Sequence, residues 1–203
     1  HSFPTRRSSD LVNSHEELRK YFKNSKAVFM TGSDQVWGPV STGTYDSAYF
    51  LDFVPKGNKK IAFASSFGKA KFNEKTMKEY KQYLVQYDKI AVREDKAVEI
   101  LDDMGIESEQ VLDPTLLIDK NEWSKYITKN IVKEEYVLVY QIHNDQKLNA
   151  YAKMFAKKSG LKLVRVSPIF HQFKRGGKFV YLPDIGEFLS LVKNAKYLIT
   201  DSF

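Results

Sequence analysis

Two patterns of apolar and polar residues alternate along this chain, one typical of buried strands and one typical of helices. Short continuous apolar runs are typical of strands buried on both faces of a parallel sheet. They predict strands at residues 27–31, 60–65, 89–92, 110–112, 136–142, 161–166 and 178–182, and the chain ends in a further apolar run, YLITDSF. Segments with apolar residues at helical spacing separate these runs.

Helix boundaries are marked by capping residues. Ser14 with Glu17 and Asp184 with Glu187 have the spacing of capping boxes, and Gly105 is placed to end a helix. Alternating strands and helices predict parallel α/β sheets with right-handed crossovers, here in two blocks. We place a first domain at residues 12–130 and a second at residues 131–203.

Composition excludes several classes of function. The 203 residues are 42% hydrophobic and contain no Cys and four His, so disulfides, thiolate metal sites and a Cys nucleophile are excluded. The four His are scattered without metal-ligand spacing, and no apolar run reaches membrane-spanning length. The net charge of +7 comes mostly from Lys interleaved with acids, which indicates a solvated surface rather than a nucleic-acid site.

The first residues form a segment that we set apart. SFPTRRSSDL, residues 2–11, resembles the in-frame translation of a sequencing adaptor, and the alternative is a natural basic leader. It has no apolar stretch of the kind that a secretory signal needs. We therefore treat residues 1–11 as a non-native leader and exclude them from the fold.

Polar residues follow several predicted strands, where ligands of parallel α/β sheets bind. Gly32, Ser33 and Asp34 follow the first strand, and Asp34 could accept a proton or serve only in a turn. Arg93 follows the third strand, where it could bind an anion or form a surface ion pair. Ser66 follows the second, where its hydroxyl could contact an anion or cap a helix.

Two further residues are ambiguous in the same way. Trp37 lies three residues after Asp34 and is either a sugar-stacking ring or a packing residue. His143 follows the first strand of the second block, and helix capping by its neighbours explains that segment equally well.

Taken in order, six segments resemble the polysaccharide pyruvyl transferase family: FMTGSDQVWGP, YFLDFV, KKIAFASSFG, AVRE, LDPTLLID and YLITDSF. The resemblance spans residues 25–203. Each segment is weak alone, and together they are specific. The resemblance implies two Rossmann-like parallel-sheet domains, arranged as in glycosyltransferase B, with the active site in the cleft between them.

The resemblance also implies a reaction, in which pyruvate moves from phosphoenolpyruvate to two hydroxyls of a sugar in a cell-surface or exopolysaccharide precursor. The product is a cyclic ketal, and no further cofactor is implied. Asp34 and Arg93 are the implied catalytic residues, Asp34 as the base or as the residue that orients the sugar hydroxyl, and Arg93 as the clamp on the donor's phosphate or carboxylate. The implied substrate-binding residues are Gly32, Ser33, Gln35, Trp37, Ser66, Phe67, His143 and Ser202.

Family members usually begin before this sequence does and continue after Ser-Phe with His-Gly. We therefore expect both domains to be incomplete and the general acid, a His, to follow Phe203, which would leave the 203-residue chain inactive. A nucleotide-sugar glycosyltransferase of the same fold and a non-catalytic basic binding module are the alternatives. We expect a cytoplasmic location, with peripheral association at the inner face of the membrane as a further possibility, and no nucleic-acid partner.

Overall fold

The structure is a computed structural model that describes residues 14–39, 44–168 and 170–202. The leader at residues 1–11 and Phe203 lie outside the described residues. The chain divides into two compact units, the first ending at Leu117 and the second beginning at Ile118. The domain limits predicted from sequence stay predictions.

The first unit is built on a four-stranded parallel sheet whose spatial order follows the chain. Its strands are β1 (Phe29–Thr31), β2 (Lys60–Ser65), β3 (Lys89–Val92) and β4 (Glu109–Gln110). All four carboxyl ends therefore lie along one edge of the sheet, which is where polar residues were predicted to meet.

Three helices accompany this sheet, and side-chain caps set their starts. They are α1 (His15–Phe22), α2 (Glu74–Leu84) and α3 (Asp95–Asp103). The Ser14 hydroxyl accepts a hydrogen bond from the Glu17 N–H, and the Asn73 carbonyl oxygen accepts one from the Thr76 N–H. Gly105, with φ +70°, follows the last turn of α3 as predicted.

Aromatic rings fill the core of the first unit. Trp37, Phe50, Phe67 and Tyr80 are buried and contact one another with ring centroids 4.8–6.0 Å apart. The Tyr80 hydroxyl donates to the Trp37 carbonyl at 2.8 Å, so α2 is tied to the segment that follows β1. Burial raises the pKa of Tyr80 to about 12, and the hydroxyl keeps its proton for this bond.

The second unit contains another four-stranded parallel sheet, in the order β7-β6-β5-β8. Its strands are β5 (Tyr136–Tyr140), β6 (Lys162–Ser167), β7 (Lys178–Tyr181) and β8 (Tyr197–Thr200). Its helices are α4 (Lys120–Ser124), α5 (Gln146–Ser159) and α6 (Ile185–Asn194). The order of the strands reverses between β5 and β8, the position at which Rossmann-like sheets bind ligands.

The α/β fold class and the two parallel sheets confirm the prediction from sequence. β2 and β3 have the predicted bounds, and the capping box of Asp184 and Glu187 is complete. Short elements were not predicted: α4 and the 3-10 turns at Ser47–Phe50, Pro114–Leu116 and Phe170–Arg175. Across the described ranges, no helix combines the length and apolar character needed to cross a bilayer.

Candidate active site

The end of β1 packs unusually close to β2. A Cβ placed on Gly32 would lie 2.0 Å from the Phe63 carbonyl oxygen, so only glycine fits, and its φ of +124° is also a glycine conformation. Asp34 then forms an isolated parallel bridge with Ser65, and its carbonyl accepts the Ser66 N–H at 2.9 Å. The backbone thereby fixes Asp34 beside the end of β2.

The end of β2 is irregular and turns sharply. The pairing of β2 with β3 shifts register between Ala62 and Ser65, and Ala64 has φ +53°. Ser66 is buried, and its hydroxyl accepts the Gly68 N–H at 3.0 Å. The Ser66 hydroxyl therefore holds this turn together and caps no helix, since the next helix begins at Glu74 with Asn73 as its cap.

Arg93, directly after β3, lies at the centre of a carboxylate cluster that joins three strand ends. Its Nη1 donates to Asp113 Oδ2 at 2.8 Å, and its Nη2 donates to Asp34 Oδ1 at 3.3 Å. The Nε lies 3.5 Å from Glu94 Oε1. The structure thus brings together the two predicted catalytic residues, Asp34 and Arg93, and adds Asp113, which follows β4.

Hydrogen bonds and ion pairs shift the pKa values of Arg93 and Asp113 in the directions that keep these two groups charged. Burial alone would lower the pKa of Arg93, but the hydrogen bond to Asp113 and the charges of Glu94, Asp113 and Asp34 raise it. The N–H and hydroxyl of Thr115, together with Arg93, hold the pKa of Asp113 below its ordinary value. One guanidinium therefore faces three carboxylates, more negative charge than it can neutralise.

The three carboxylates hold Arg93 unequally. Asp113 is anchored twice over, since its Oδ1 accepts both the Thr115 N–H at 2.9 Å and the Thr115 hydroxyl at 2.7 Å. The side chain of Asp34 is 80% exposed, and exposed ion pairs contribute about 0–1 kcal/mol. Of the two hydrogen-bonded carboxylates, Asp34 is therefore the one that Arg93 can release at the lower cost, whereas the excess negative charge of the cluster opposes an incoming anion.

A cavity of about 270 Å³ lies beside this cluster. Its lining includes Gln35, Ser66, Phe67, Glu94 and Lys96, so it contains three of the predicted substrate-binding residues. Ligand cavities typically measure about 300–1,000 Å³, and this one suits a small ligand.

Trp37 and Phe67 are core residues. Trp37 is wholly buried, with its ring 6.0 Å from that of Phe50 and 5.1 Å from that of Phe67. Sugar stacking needs an open ring face, and Trp37 has none, so packing is its role. Phe67 is 1% exposed and packs in the same cluster, which leaves little of its ring for a substrate.

Two of the predicted substrate-binding residues, His143 and Ser202, belong to the second unit. The N–H groups of Ile142 and His143 donate to the Asp201 carboxylate at 2.8 and 2.9 Å, and this joins the loops after β5 and β8. The His143 ring is 75% exposed, with Nδ1 3.5 Å from Asp201 Oδ2. Ser202 follows Asp201, and its N–H donates to the Thr200 hydroxyl at 3.0 Å.

Asp113 in the first unit and Asp201 in the second are polar residues near strand ends that sequence reasoning did not single out. Partial burial would raise the pKa of Asp201, but the N–H groups of Ile142 and His143 outweigh it and lower the pKa. Both residues stand directly after predicted strands or apolar runs, as Asp34 does. Their position past a strand end was the signal that could have identified them.

The described ranges contain no group of three His, Asp or Glu side chains that could hold a metal ion.

Fold and site together define a protein with two parallel α/β sheets, in which an arginine and carboxylates meet at strand ends of the first sheet. A family model described as polysaccharide pyruvyl transferase matches residues 2–203. The chain therefore belongs to the polysaccharide pyruvyl transferase family. A comparison with curated proteins finds no match.

The family match includes residues 2–11, the segment that resembles an adaptor. The interpretation of those residues as a foreign leader stays a prediction.

Proposed function

We propose that this transferase moves pyruvate from phosphoenolpyruvate to two hydroxyls of a sugar in a cell-surface or exopolysaccharide precursor. The observation that carries the proposal is the position of Arg93, where strand ends of the first sheet converge beside a cavity sized for a small ligand. Family membership supports the reaction class, and the arginine supports an anionic donor. We place the reaction in the cytoplasm, or at the inner face of the membrane.

The reaction balances without a further cofactor. The methylene carbon of the donor gains a proton, which leaves an oxocarbenium-like centre on the adjacent carbon. Two sugar hydroxyls form C–O bonds to that carbon and each loses a proton, while the C–O bond to phosphate breaks. One of these two protons makes up for the proton that converted the methylene group into a methyl group, and the other leaves with the phosphate.

Donor binding begins with an exchange at Arg93. The donor's phosphate or carboxylate takes the guanidinium edge that Asp34 occupies, because Asp34 is exposed and its contact is the longer of the two hydrogen bonds. Asp113 keeps the other edge and fixes the guanidinium plane, so Asp113 is a positioning residue.

The displaced Asp34 then has a second role. Its backbone stays bound to Ser66, so its carboxylate remains close to the donor after Arg93 releases it. There it accepts a proton from a sugar hydroxyl as that oxygen attacks. Gln35 and Ser66 line the adjoining cavity, and His143 and Ser202 remain predicted contacts of the substrate in the second unit.

The test is equilibrium binding of phosphoenolpyruvate, measured by calorimetry on the 203-residue chain. Arg93→Met should weaken binding by about tenfold or more, because a charge-assisted hydrogen-bond pair is lost. Asp34→Asn should strengthen binding, because it removes a carboxylate that competes for the same edge. The matched control is Arg19→Met, since Arg19 is ion-paired to Asp52 in the same unit and lies outside the proposed site.

Opposite effects at Asp34 and Arg93 distinguish this proposal from a surface ion pair without a ligand. If Asp34→Asn weakens phosphoenolpyruvate binding as much as Arg93→Met does, the exchange is wrong. A nucleotide sugar is titrated in parallel. Binding of the nucleotide sugar, with none of phosphoenolpyruvate, would favour a glycosyltransferase instead.

A further inference from the structure

Arg165 is a buried arginine without a counter-charge. It lies on β6 and is 2% exposed. Its Nε donates to the Gly176 carbonyl at 2.8 Å, and its Nη2 donates to Asn149 Oδ1 at 2.6 Å. Its Nη1 is buried and has no hydrogen-bond partner within the described ranges.

A second arginine, Arg175, directly precedes the Gly176 whose carbonyl Arg165 binds, and it is also held by neutral groups. Arg175 Nη1 donates to Gln141 Oε1 at 2.6 Å, and Nη2 donates to Asn144 Oδ1. Neither guanidinium forms an ion pair with any carboxylate that the structure describes. The side chain of Lys153 passes beside Gly176 and adds a third cation to the neighbourhood.

Asp145, the acid next to Asn144, is already engaged. Asp145 caps α5, and its Oδ1 accepts the N–H groups of Lys147 and Leu148 at 2.7 and 3.2 Å. Gln141 contacts Asp145 through the backbone carbonyl rather than the carboxylate. Asp145 therefore compensates the end of a helix, and amide oxygens surround the two arginines.

This arrangement is energetically incomplete. Burial and the positive charge of Arg175 both lower the pKa of Arg165, but an arginine does not lose its proton in a protein. A buried charge needs a partner of opposite sign, and an orphaned donor adds a further desolvation cost. Two adjacent guanidinium groups with amide partners have the character of a site that an anion completes.

We propose that Arg165 and Arg175 bind the phosphate group of a ligand at the face of the second unit formed by α5 and the 170–177 segment. Asn144 is exposed and Arg175 is partly exposed, so these two residues would form the entrance, whereas Arg165 is buried. The phosphate displaces the amide oxygens of Gln141 and Asn144 from Arg175 and supplies an acceptor for the free Nη1 of Arg165. This inference does not depend on pyruvyl transfer or on Arg93.

The experiment measures phosphate binding in a variant that lacks the proposed donor clamp. Arg93→Met is used as the background, so that a phosphate bound in the first unit does not contribute. Inorganic phosphate and glucose 1-phosphate are titrated by calorimetry, with sodium chloride at matched ionic strength as the blank. Arg175→Gln is the principal variant because Arg175 is partly exposed, and Arg165→Met is the second.

Lys174→Gln is the matched control, since it removes an exposed charge next to Arg175 and leaves both guanidinium groups in place. We expect Arg175→Gln to weaken binding about tenfold or more, and Lys174→Gln to change it less than about twofold. Circular dichroism of each variant establishes that the fold is retained.

The two probes identify the source of the phosphate. Equal affinity for both probes indicates free phosphate, and tighter binding of glucose 1-phosphate indicates a phosphorylated sugar. Either result supports the site if Arg175→Gln weakens the binding about tenfold or more. Absence of phosphate binding to the background protein, or binding that Arg175→Gln leaves unchanged, would overturn the inference.

Discussion

Replacing Gly32 by Ala tests the close approach that positions Asp34. The new Cβ would lie 2.0 Å from the Phe63 carbonyl oxygen and 3.1 Å from Ser65 Oγ. Cβ atoms essentially never approach within 3.0 Å, so the end of β1 must move by about 1 Å. That movement stretches the 2.9 Å bond between the Ser66 N–H and the Asp34 carbonyl.

The cost has two parts. A left-handed φ costs a residue with a Cβ about 1–2 kcal/mol, and each weakened backbone hydrogen bond adds about 1 kcal/mol. With one or two bonds affected, Gly32→Ala should lower the free energy of unfolding by about 2–4 kcal/mol. Gly57→Ala is the control, because Gly57 has φ +92° and no atom within 4 Å of its added Cβ, so it isolates the conformational part.

The assay is urea unfolding followed by the fluorescence of Trp37. The chain has two Trp, so a Trp123→Phe background confines the signal to the first unit. Gly32→Ala should lower the midpoint more than Gly57→Ala does. It should also weaken phosphoenolpyruvate binding, which Gly57→Ala should not. Equal losses of stability from the two substitutions would refute the steric argument.

Three further predictions concern the core and the cluster. Trp37→Phe should lower the free energy of unfolding by about 1–3 kcal/mol, measured by urea titration followed by circular dichroism. Because the ring is buried, the substitution should leave phosphoenolpyruvate binding unchanged. Weaker binding by a folded variant would contradict the packing role of Trp37. Tyr80→Phe should lower the free energy of unfolding by about 1–2 kcal/mol, because it removes the donor to the Trp37 carbonyl. An unchanged urea midpoint, followed by the fluorescence of Trp37, would count against that hydrogen bond. The lowered pKa of Asp113 contributes stability that is present above its ordinary value near 3.8 and is lost as pH falls through the folded value. The difference in unfolding midpoint between wild type and Asp113→Asn should therefore shrink only below about pH 3.8, and a difference that shrinks between pH 7 and 5 would be inconsistent with this pKa.

In the first sheet, the two central strands were easier to predict than the outer two. β2 and β3 are flanked on both sides by other strands, and their apolar runs match their structural bounds. β1 and β4 are edge strands and are shorter than their apolar runs, since pairing on one side only lets the ends leave the sheet. The 3-10 turn at Ser47–Phe50 has no helical periodicity of its own and depends on burial of Phe50.

The site was partly predictable for a related reason. Asp34 and Arg93 stand after strand ends, and parallel strands bring their carboxyl ends to one edge, so their proximity follows from the fold. Asp113 precedes a proline and has the pattern of an ordinary turn, and its contact with Arg93 depends on β4 lying beside β3. The sequence left packing and sugar stacking open for Trp37, because its burial depends on the segment after Gly32 turning back toward Ser66.

The most direct test of the central claim is a crystal structure of the chain with phosphoenolpyruvate. We predict that an anionic group of the donor contacts the Nη2 edge of Arg93 in place of Asp34, while the bond between Arg93 and Asp113 persists. A donor bound elsewhere, with the contact between Arg93 and Asp34 intact, would contradict the proposed exchange and the assignment of Arg93 as the donor clamp.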